Sequence, residues 1–218
     1  MSAEDPAGVR YNAEVFDVRS IDEAKRIILT DEDGATEERW QRETPYLVEH
    51  IVDFLAPNDG SLLLDYGCGI GRISKELIGR SGCRMIGVDI SMSMCQLAPG
   101  YVGDRRFAAC GWPVLEGMQA HGMRVNGAVA IWSLQHSPRV EDDIKRIHDV
   151  LEPGGGLFVC NLHRAAVPTN RGWVDTGFDI KALLAERFER LTVDAVSADH
   201  TTADIGDAAF IGRYRKAG

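Results

Sequence analysis

Three leucines, Leu62 to Leu64, run without interruption into Asp65-Tyr66-Gly67-Cys68-Gly69-Ile70-Gly71-Arg72. A short apolar run that ends on an acid and a turn of alternating glycines reads as a buried strand delivering the chain to a tight loop. Glycine reaches positive φ without strain and has no side chain, so Gly67, Gly69 and Gly71 let backbone amides come close to a bound molecule. After the loop, Ile70, Ile73, Leu77 and Ile78 recur at helical spacing. Strand, glycine turn and helix in that order form the unit that binds nucleotide-like ligands in α/β proteins.

The loop's details narrow the ligand. A dinucleotide fingerprint needs G-x-G-x-x-G with a pyrophosphate on the helix N-terminus, whereas this chain has G-x-G-x-G and Arg72 where the third-position glycine would stand. A phosphate-binding P-loop needs a lysine followed by Ser or Thr, and none stands here. Asp65 would repel phosphates and suits a cation or an ammonium group. A second strand, Met85 to Val88, ends in Asp89, roughly 20 residues past the loop, where a carboxylate can accept from both hydroxyls of a ribose.

These residues resemble the class I S-adenosylmethionine-dependent methyltransferases, small-molecule type. The first motif of that family stands as Leu62 to Gly71 and the second as Met85-Ile86-Gly87-Val88-Asp89-Ile90-Ser91. The fourth runs from Asn126 into Trp132-Ser133-Leu134-Gln135-His136, and Leu151-Glu152-Pro153-Gly154-Gly155-Gly156-Leu157-Phe158 resembles the turn before the fifth strand. The resemblance implies a Rossmann-like, seven-stranded, mostly parallel sheet with helices on both faces and an antiparallel C-terminal hairpin. It also implies S-adenosylmethionine as cofactor and direct methyl transfer to a small-molecule acceptor. A methyltransferase with a protein acceptor and a non-catalytic S-adenosylmethionine binder stay open as alternatives.

The rest of the chain is consistent with such a sheet. Strands are expected at 62–66, 84–88, 105–109, 126–131, 156–161, 189–196 and 208–215, and helices near 71–79, 92–98, 113–120, 139–150 and 179–186. The last two strands are joined by the polar stretch 199–207, too short for a helical crossover. Upstream, Ser20 and Glu23 form a capping box for Ile21, Ala24, Ile27 and Ile28. The stretch Thr30 to Gly34 interrupts the pattern, and a second helix starts near Thr36. Thr44 and Pro45 read as the N-cap and first residue of a third helix, which Pro57 stops. Residues 1–56 are taken as an N-terminal helical extension covering the active site, and 57–218 as the methyltransferase domain.

By resemblance, the cofactor lies along Asp65, Gly67, Cys68, Gly69 and Gly71, its ribose at Asp89 and its adenine against Ile90, with the methyl toward Ile131, Trp132 and Gln135. The third motif lacks the acid common in the family, so the backbone of Cys110 and Gly111 would read the adenine edge. Trp112 would either stack there or pack beneath Pro113. Trp40 resembles an aromatic that covers the cofactor, with Arg42 as a weaker partner for its carboxylate. His136, just after the fourth strand, can act as a general base or can cap the helix starting at Pro138. His163, Arg164, Arg171 and Trp173 suit a planar or anionic acceptor.

Composition bounds the partners. The chain has 218 residues with a net charge of -9 and no basic stripe, which argues against a nucleic-acid partner. The sequence also lacks an [N/D]-P-P-[Y/F] signature after the fourth strand. No apolar run is long enough to span a membrane, and a cytoplasmic location is expected. Five cysteines with no C-x-x-C pair, and six histidines without ligand spacing, suggest no metal.

Overall fold

A computed structural model of the chain describes residues 8–29, 36–201 and 203–218. Its strands are β1 (Leu62–Tyr66), β2 (Arg84–Val88), β3 (Phe107–Cys110), β4 (Val125–Ile131), β5 (Leu151–Leu162), β6 (Val167–Thr169), β7 (Gly172–Val174), β8 (Glu189–Ala195) and β9 (Ala209–Arg215). Seven of them form one sheet in the order β3-β2-β1-β4-β5-β9-β8. The pairs among β1 to β5 are parallel, while β9 runs antiparallel to both β5 and β8. This is the Rossmann-like, mostly parallel sheet that the family resemblance implies.

Side chains of period two divide the sheet between two cores. Leu63, Met85, Val129, Phe158 and Ile211 pack with α1 (Ile21–Ile28), α2 (Thr36–Leu55), α3 (Arg72–Ser81) and α4 (Met92–Val102). Leu64, Val88, Ala128, Leu157 and Phe210 face α5 (Trp112–Ala120), α6 (Val140–Val150) and α7 (Ile180–Arg187). The helices after β1 and β2 therefore lie on one face, and those after β3 and β4 on the other. The reversal falls between β1 and β4, so the carboxyl ends of those strands flank a crevice.

Several local expectations change. Thr36–Leu55 is a single helix with Pro45 inside it. Thr44 is not an N-cap, for its Oγ1 donates to the Trp40 carbonyl 2.5 Å away. Proline's missing N–H normally breaks a helix interior, but here buried Arg39 and Glu43 before it and Leu47, Val48 and Ile51 after it hold both halves against the body of the protein. Those apolar residues lie in the same core as β1 and β4, across the boundary expected at 56/57. Ser20 caps α1 as expected, accepting from Glu23 N–H at 3.2 Å. The stretch Thr30 to Gly34 lies outside the described residues.

Two elements were not foreseen. The Pro- and Gly-containing loop after β5 holds the hairpin β6–β7, and the link between β8 and β9 contains the short helix α8 (Ala203–Ala208). The hairpin pairs with the segment before α1: Tyr11 bridges Thr169, Asn12 N–H donates to the Pro168 carbonyl, and Asn170 N–H donates to the Arg10 carbonyl. At its other end the segment is held to α4, where Ser91 Oγ meets Asp17 Oδ1 at 3.1 Å and Val18 N–H donates to Ser93 Oγ at 2.9 Å. Residues 8–20 thus cross the top of the sheet as an extended strap with one 3-10 turn, Ala13–Phe16.

Candidate active site

Under this strap, at the carboxyl ends of β1, β2 and β4, lies a cleft of about 1040 Å³ with its open mouth included. Its floor is Tyr66, Gly67, Gly69, Val88, Asp89 and Ile90; Ile131, Trp132, Ser133 and His136 form one wall. Tyr11 and Phe16 of the strap and Ile27 and Ile28 of α1 close it from above, and Trp112, Asp143 and Arg146 line the remaining side.

The glycines are required by geometry, each in a different way. All three have positive φ: 79° at Gly67, 52° at Gly69 and 84° at Gly71. A Cβ on Gly67 would stand 2.2 Å from Ser133 Cβ, and one on Gly69 2.6 Å from Ile28 Cδ1. Gly71 caps α3 and packs toward Val102 and Phe107, away from the cleft. Asp89 ties the loop down. Its Oδ2 accepts from Gly69 N–H at 2.8 Å and its Oδ1 from Ser91 N–H at 2.9 Å, while burial pushes its carboxyl pKa up.

Asp65 is turned elsewhere. It is 3% exposed, its Oδ2 accepts from Ser74 Oγ at 2.7 Å, and desolvation pushes its pKa up to about 6. It does not line the cleft, so the strand acid serves the start of α3 rather than a ligand directly. Cys68 is also buried, with its thiol pKa raised well above the usual range by burial, which leaves it unreactive.

The wall after β4 is locked from both sides. Trp132 has φ 55°, unusual for a bulky residue, and its N–H donates to the Cys160 carbonyl at 2.8 Å. Ser133 Oγ donates to the Tyr66 carbonyl at 2.8 Å. His136 Nδ1 lies 2.7 Å from the Ala166 carbonyl and must donate to it, which leaves Nε2 as the lone-pair nitrogen. Gln135 Nε2 approaches that nitrogen at 3.3 Å, and burial lowers the histidine pKa, keeping the ring neutral. Phe16 and Trp173 flank it at centroid distances of 5.6 and 5.3 Å.

The methyltransferase domain matches residues 40–202, about three quarters of the chain. The chain belongs to the methyltransferase-domain family. Among its relatives, 24-methylenesterol C-methyltransferase 2 of Oryza sativa subsp. japonica is 29% identical over 131 residues, 55% of this chain and 35% of that protein. The mitochondrial ubiquinone biosynthesis O-methyltransferase of Rattus norvegicus is 27% identical over 113 residues, 50% of this chain and 32% of that protein. The chain thus spans about a third of the length of these curated relatives. In fold it is similar to geranyl diphosphate C-methyltransferase from Streptomyces coelicolor A3(2), solved with Mg2+, geranyl diphosphate and S-adenosyl-L-homocysteine. That likeness has a TM-score of 0.64 and 14% identity, and covers 88% of this chain and 89% of that one.

Within this methyltransferase-domain chain, the residues expected at the site separate into two groups. Gly67, Gly69, Asp89, Ile90, Trp112, Ile131, Trp132 and His136 converge on the cleft. Trp40, Asp65, Cys68, Gly71, Cys110, Gly111 and Gln135 do not line it. Trp40 is 7% exposed and packs edge-on to Tyr101, with Arg72 over its ring at 5.2 Å. The Cys110 carbonyl is taken by Asp89 N–H at 3.2 Å, and Gly111 is the N-cap of α5. Gln135 is 3% exposed and holds Leu162 N–H as well as His136.

Other contributors had no recognised signal in the sequence. Tyr11 and Phe16 belong to an irregular strap. Tyr66 occupies the variable position of the glycine motif, where its hydroxyl donates to Asp143 Oδ1 at 2.5 Å. Asp143 also accepts from Arg146 at 2.7 Å, and Arg146 lies 4.4 Å over the Trp112 ring. Among the described residues no His, Cys, Asp and Glu cluster could hold a metal ion, and no helix is long and apolar enough to cross a membrane.

Proposed function

We propose that the cleft binds S-adenosylmethionine and that the protein methylates a small-molecule acceptor by direct transfer. The observation that carries this reading is the pairing of a positive-φ glycine loop with Asp89 at the β1/β4 reversal. Two of the roughly four lone-pair sites on the Asp89 carboxylate are used by backbone N–H groups, which leaves acceptor capacity for ribose hydroxyls. Ile90, 47% exposed, offers an apolar face for adenine. The aromatic faces of Tyr66 and Trp132 and the acids Asp89 and Asp143 suit a sulfonium cation. The residues therefore fit the cofactor, which would supply an electrophilic methyl group there.

The chain's own part is positioning and exclusion of water. Orientation of reacting groups in a closed site contributes roughly 7–11 kcal/mol in well-aligned cases, and Tyr11, Phe16, Ile27 and Ile28 supply the cover. Residues 8–29 are accordingly the covering segment of the proposed domain division. His136, neutral and held in one tautomer, would take the proton from an acceptor hydroxyl or ammonium at Nε2 by exchanging the 3.3 Å contact from Gln135 for the acceptor. Acceptor contacts at Trp173 of the hairpin follow from its place beside His136 and Phe16. The free thiols fit a reducing, cytoplasmic setting.

Calorimetry with S-adenosylhomocysteine, followed by incubation with isotopically labelled S-adenosylmethionine and fractionated small-molecule extract, tests the proposal. Saturable binding and label in a small molecule are expected. Absence of binding would remove the cofactor assignment, and binding without any transfer would make the protein a cofactor binder.

A further inference from the structure

Behind the cleft wall, three charged side chains are sealed from solvent. Glu43 is fully buried, Arg39 is 6% exposed and Arg72 is 3% exposed. Glu43 Oε2 accepts from Arg39 Nε and Nη2, both at 2.8 Å, and its Oε1 accepts from Arg72 Nη2 at 3.1 Å. The same Oε1 accepts from the indole Nε1–H of Trp132 at 2.7 Å. Arg39 lies 5.6 Å over the Trp132 ring. Hydrophobic packing of similar volume would commonly stabilise a core as well as such an ion cluster does, so its presence calls for a reason other than stability.

That reason lies in the backbone of Trp132. A bulky residue held at φ 55° is strained and persists only where its surroundings over-determine it. The strained turn touches the glycine loop, since Ser133 holds the Tyr66 carbonyl and fills the space where a Gly67 Cβ would be. α2 and α3 thus meet the residue after β4 at Glu43, and Ser133 links the same turn to β1.

We propose that Glu43 is a positioning residue: fixed by Arg39 and Arg72, it clamps the Trp132 indole and so holds the left-handed turn that sets the cleft wall against the glycine loop. The proposal rests on the cofactor reading for its consequence and on the indole contact for its substance. Arg72 joins the cluster from the residue directly after Gly71, so the loop and the opposite wall share one anchor.

Two single variants, Glu43→Gln and Trp132→Phe, and their double form a cycle read by S-adenosylhomocysteine affinity, with the Trp132 indole N–H resonance followed in wild type and Glu43→Gln. Trp132→Phe keeps an aromatic ring in the wall and removes the donor. It should fold but unfold at a lower midpoint, as expected for loss of a hydrogen bond to a buried charged group, and bind about tenfold more weakly. Glu43→Gln should weaken binding and speed exchange of the indole proton. In the double variant the second change should add less than about twofold, because both act through one contact. Single effects that multiply in the double, or a folded Trp132→Phe protein that binds within twofold of wild type, would overturn the clamp. Should Glu43→Gln fail to fold, Trp132→Phe alone decides between these results. A wild-type protein that does not bind S-adenosylhomocysteine would end the cofactor reading; the clamp then stands if the wild-type indole proton is protected and falls if it exchanges freely.

Discussion

Replacing Gly67 by alanine asks whether the glycine loop and the turn after β4 are in hard contact. Two costs follow from the structure. Alanine at φ 79° adopts a left-handed conformation at roughly 1–2 kcal/mol. Its Cβ would also stand 2.2 Å from Ser133 Cβ and 2.9 Å from Ser133 Oγ, and relief of such overpacking costs about 1–3 kcal/mol. The loop cannot easily back away, because Gly67 N–H is tied to the Val88 carbonyl at 2.7 Å and Cys68 N–H to the same oxygen at 3.0 Å. Gly67→Ala should therefore lose about 2–5 kcal/mol. Ser133→Gly alone removes one hydrogen bond to Tyr66 and loosens the unfolded chain, for about 1–2 kcal/mol. In the double variant the nearest remaining atom, Ser133 Cα, lies at 3.5 Å, an ordinary contact, so the steric share returns. Urea unfolding of the four proteins should show the double to be about 1–3 kcal/mol more stable than the sum of the singles predicts. Additivity within about 0.5 kcal/mol would mean that the two walls do not touch.

Three further outcomes are expected. Asp89→Asn places an amide N–H against the Gly69 or Ser91 N–H and should weaken S-adenosylhomocysteine binding by roughly 1–3 kcal/mol in calorimetry; unchanged affinity would refute the ribose assignment. If His136 is the base, turnover should be flat from neutral pH upward and fall only on the acid side of the ordinary histidine value of 6.5, because burial lowers its pKa, and His136→Gln should cut turnover by about 10²-fold or more while leaving cofactor affinity intact; a variant as active as wild type would leave His136 as the fastener of Ala166. Asp65 has a folded pKa of about 6 against 3.8 unfolded, so its charge opposes folding at neutral pH, and this penalty fades as pH falls through 6 toward 4. Asp65→Asn should accordingly raise stability at pH 7.5, by up to about 3 kcal/mol, with the gain shrinking toward pH 4; a gain that grows on acidification would invert the argument.

The strands and the glycine loop were legible because local signals and burial agree there. β1 and β2 stand at the expected residues, since each is a short apolar run closed by an acid or a glycine. Thr44 and Pro45 misled for the opposite reason: their local chemistry favours a helix start, while the buried Arg39–Glu43 pair and the apolar face of Leu47, Val48 and Ile51 carry the helix through. The hairpin β6–β7 is only three residues per strand and owes its order partly to the strap, which pairs with it from roughly 160 residues away. Asp65 and Trp40 matched family positions, yet the direction of a side chain depends on neighbours such as Ser74, Tyr101 and Arg72 that one-dimensional spacing does not contain.

The same dependence on distant neighbours explains how the cleft is divided. Residues at strand ends supply its fixed floor, because the parallel ladder holds Asp65 to Val129 and Tyr66 to Val88 in register. The cover is attached by fewer bonds, at Ser91 and Ser93 on one side and at the hairpin on the other. Such a segment opens at lower free energy than the sheet beneath it. The strap and hairpin that carry Tyr11, Phe16 and Trp173 can therefore open while the glycine loop stays undisturbed. Hydrogen exchange should then find residues 8–20 and 167–174 exchanging together and faster than β1 and β4, with S-adenosylhomocysteine slowing the strap; a strap protected as strongly as β4 would contradict this division.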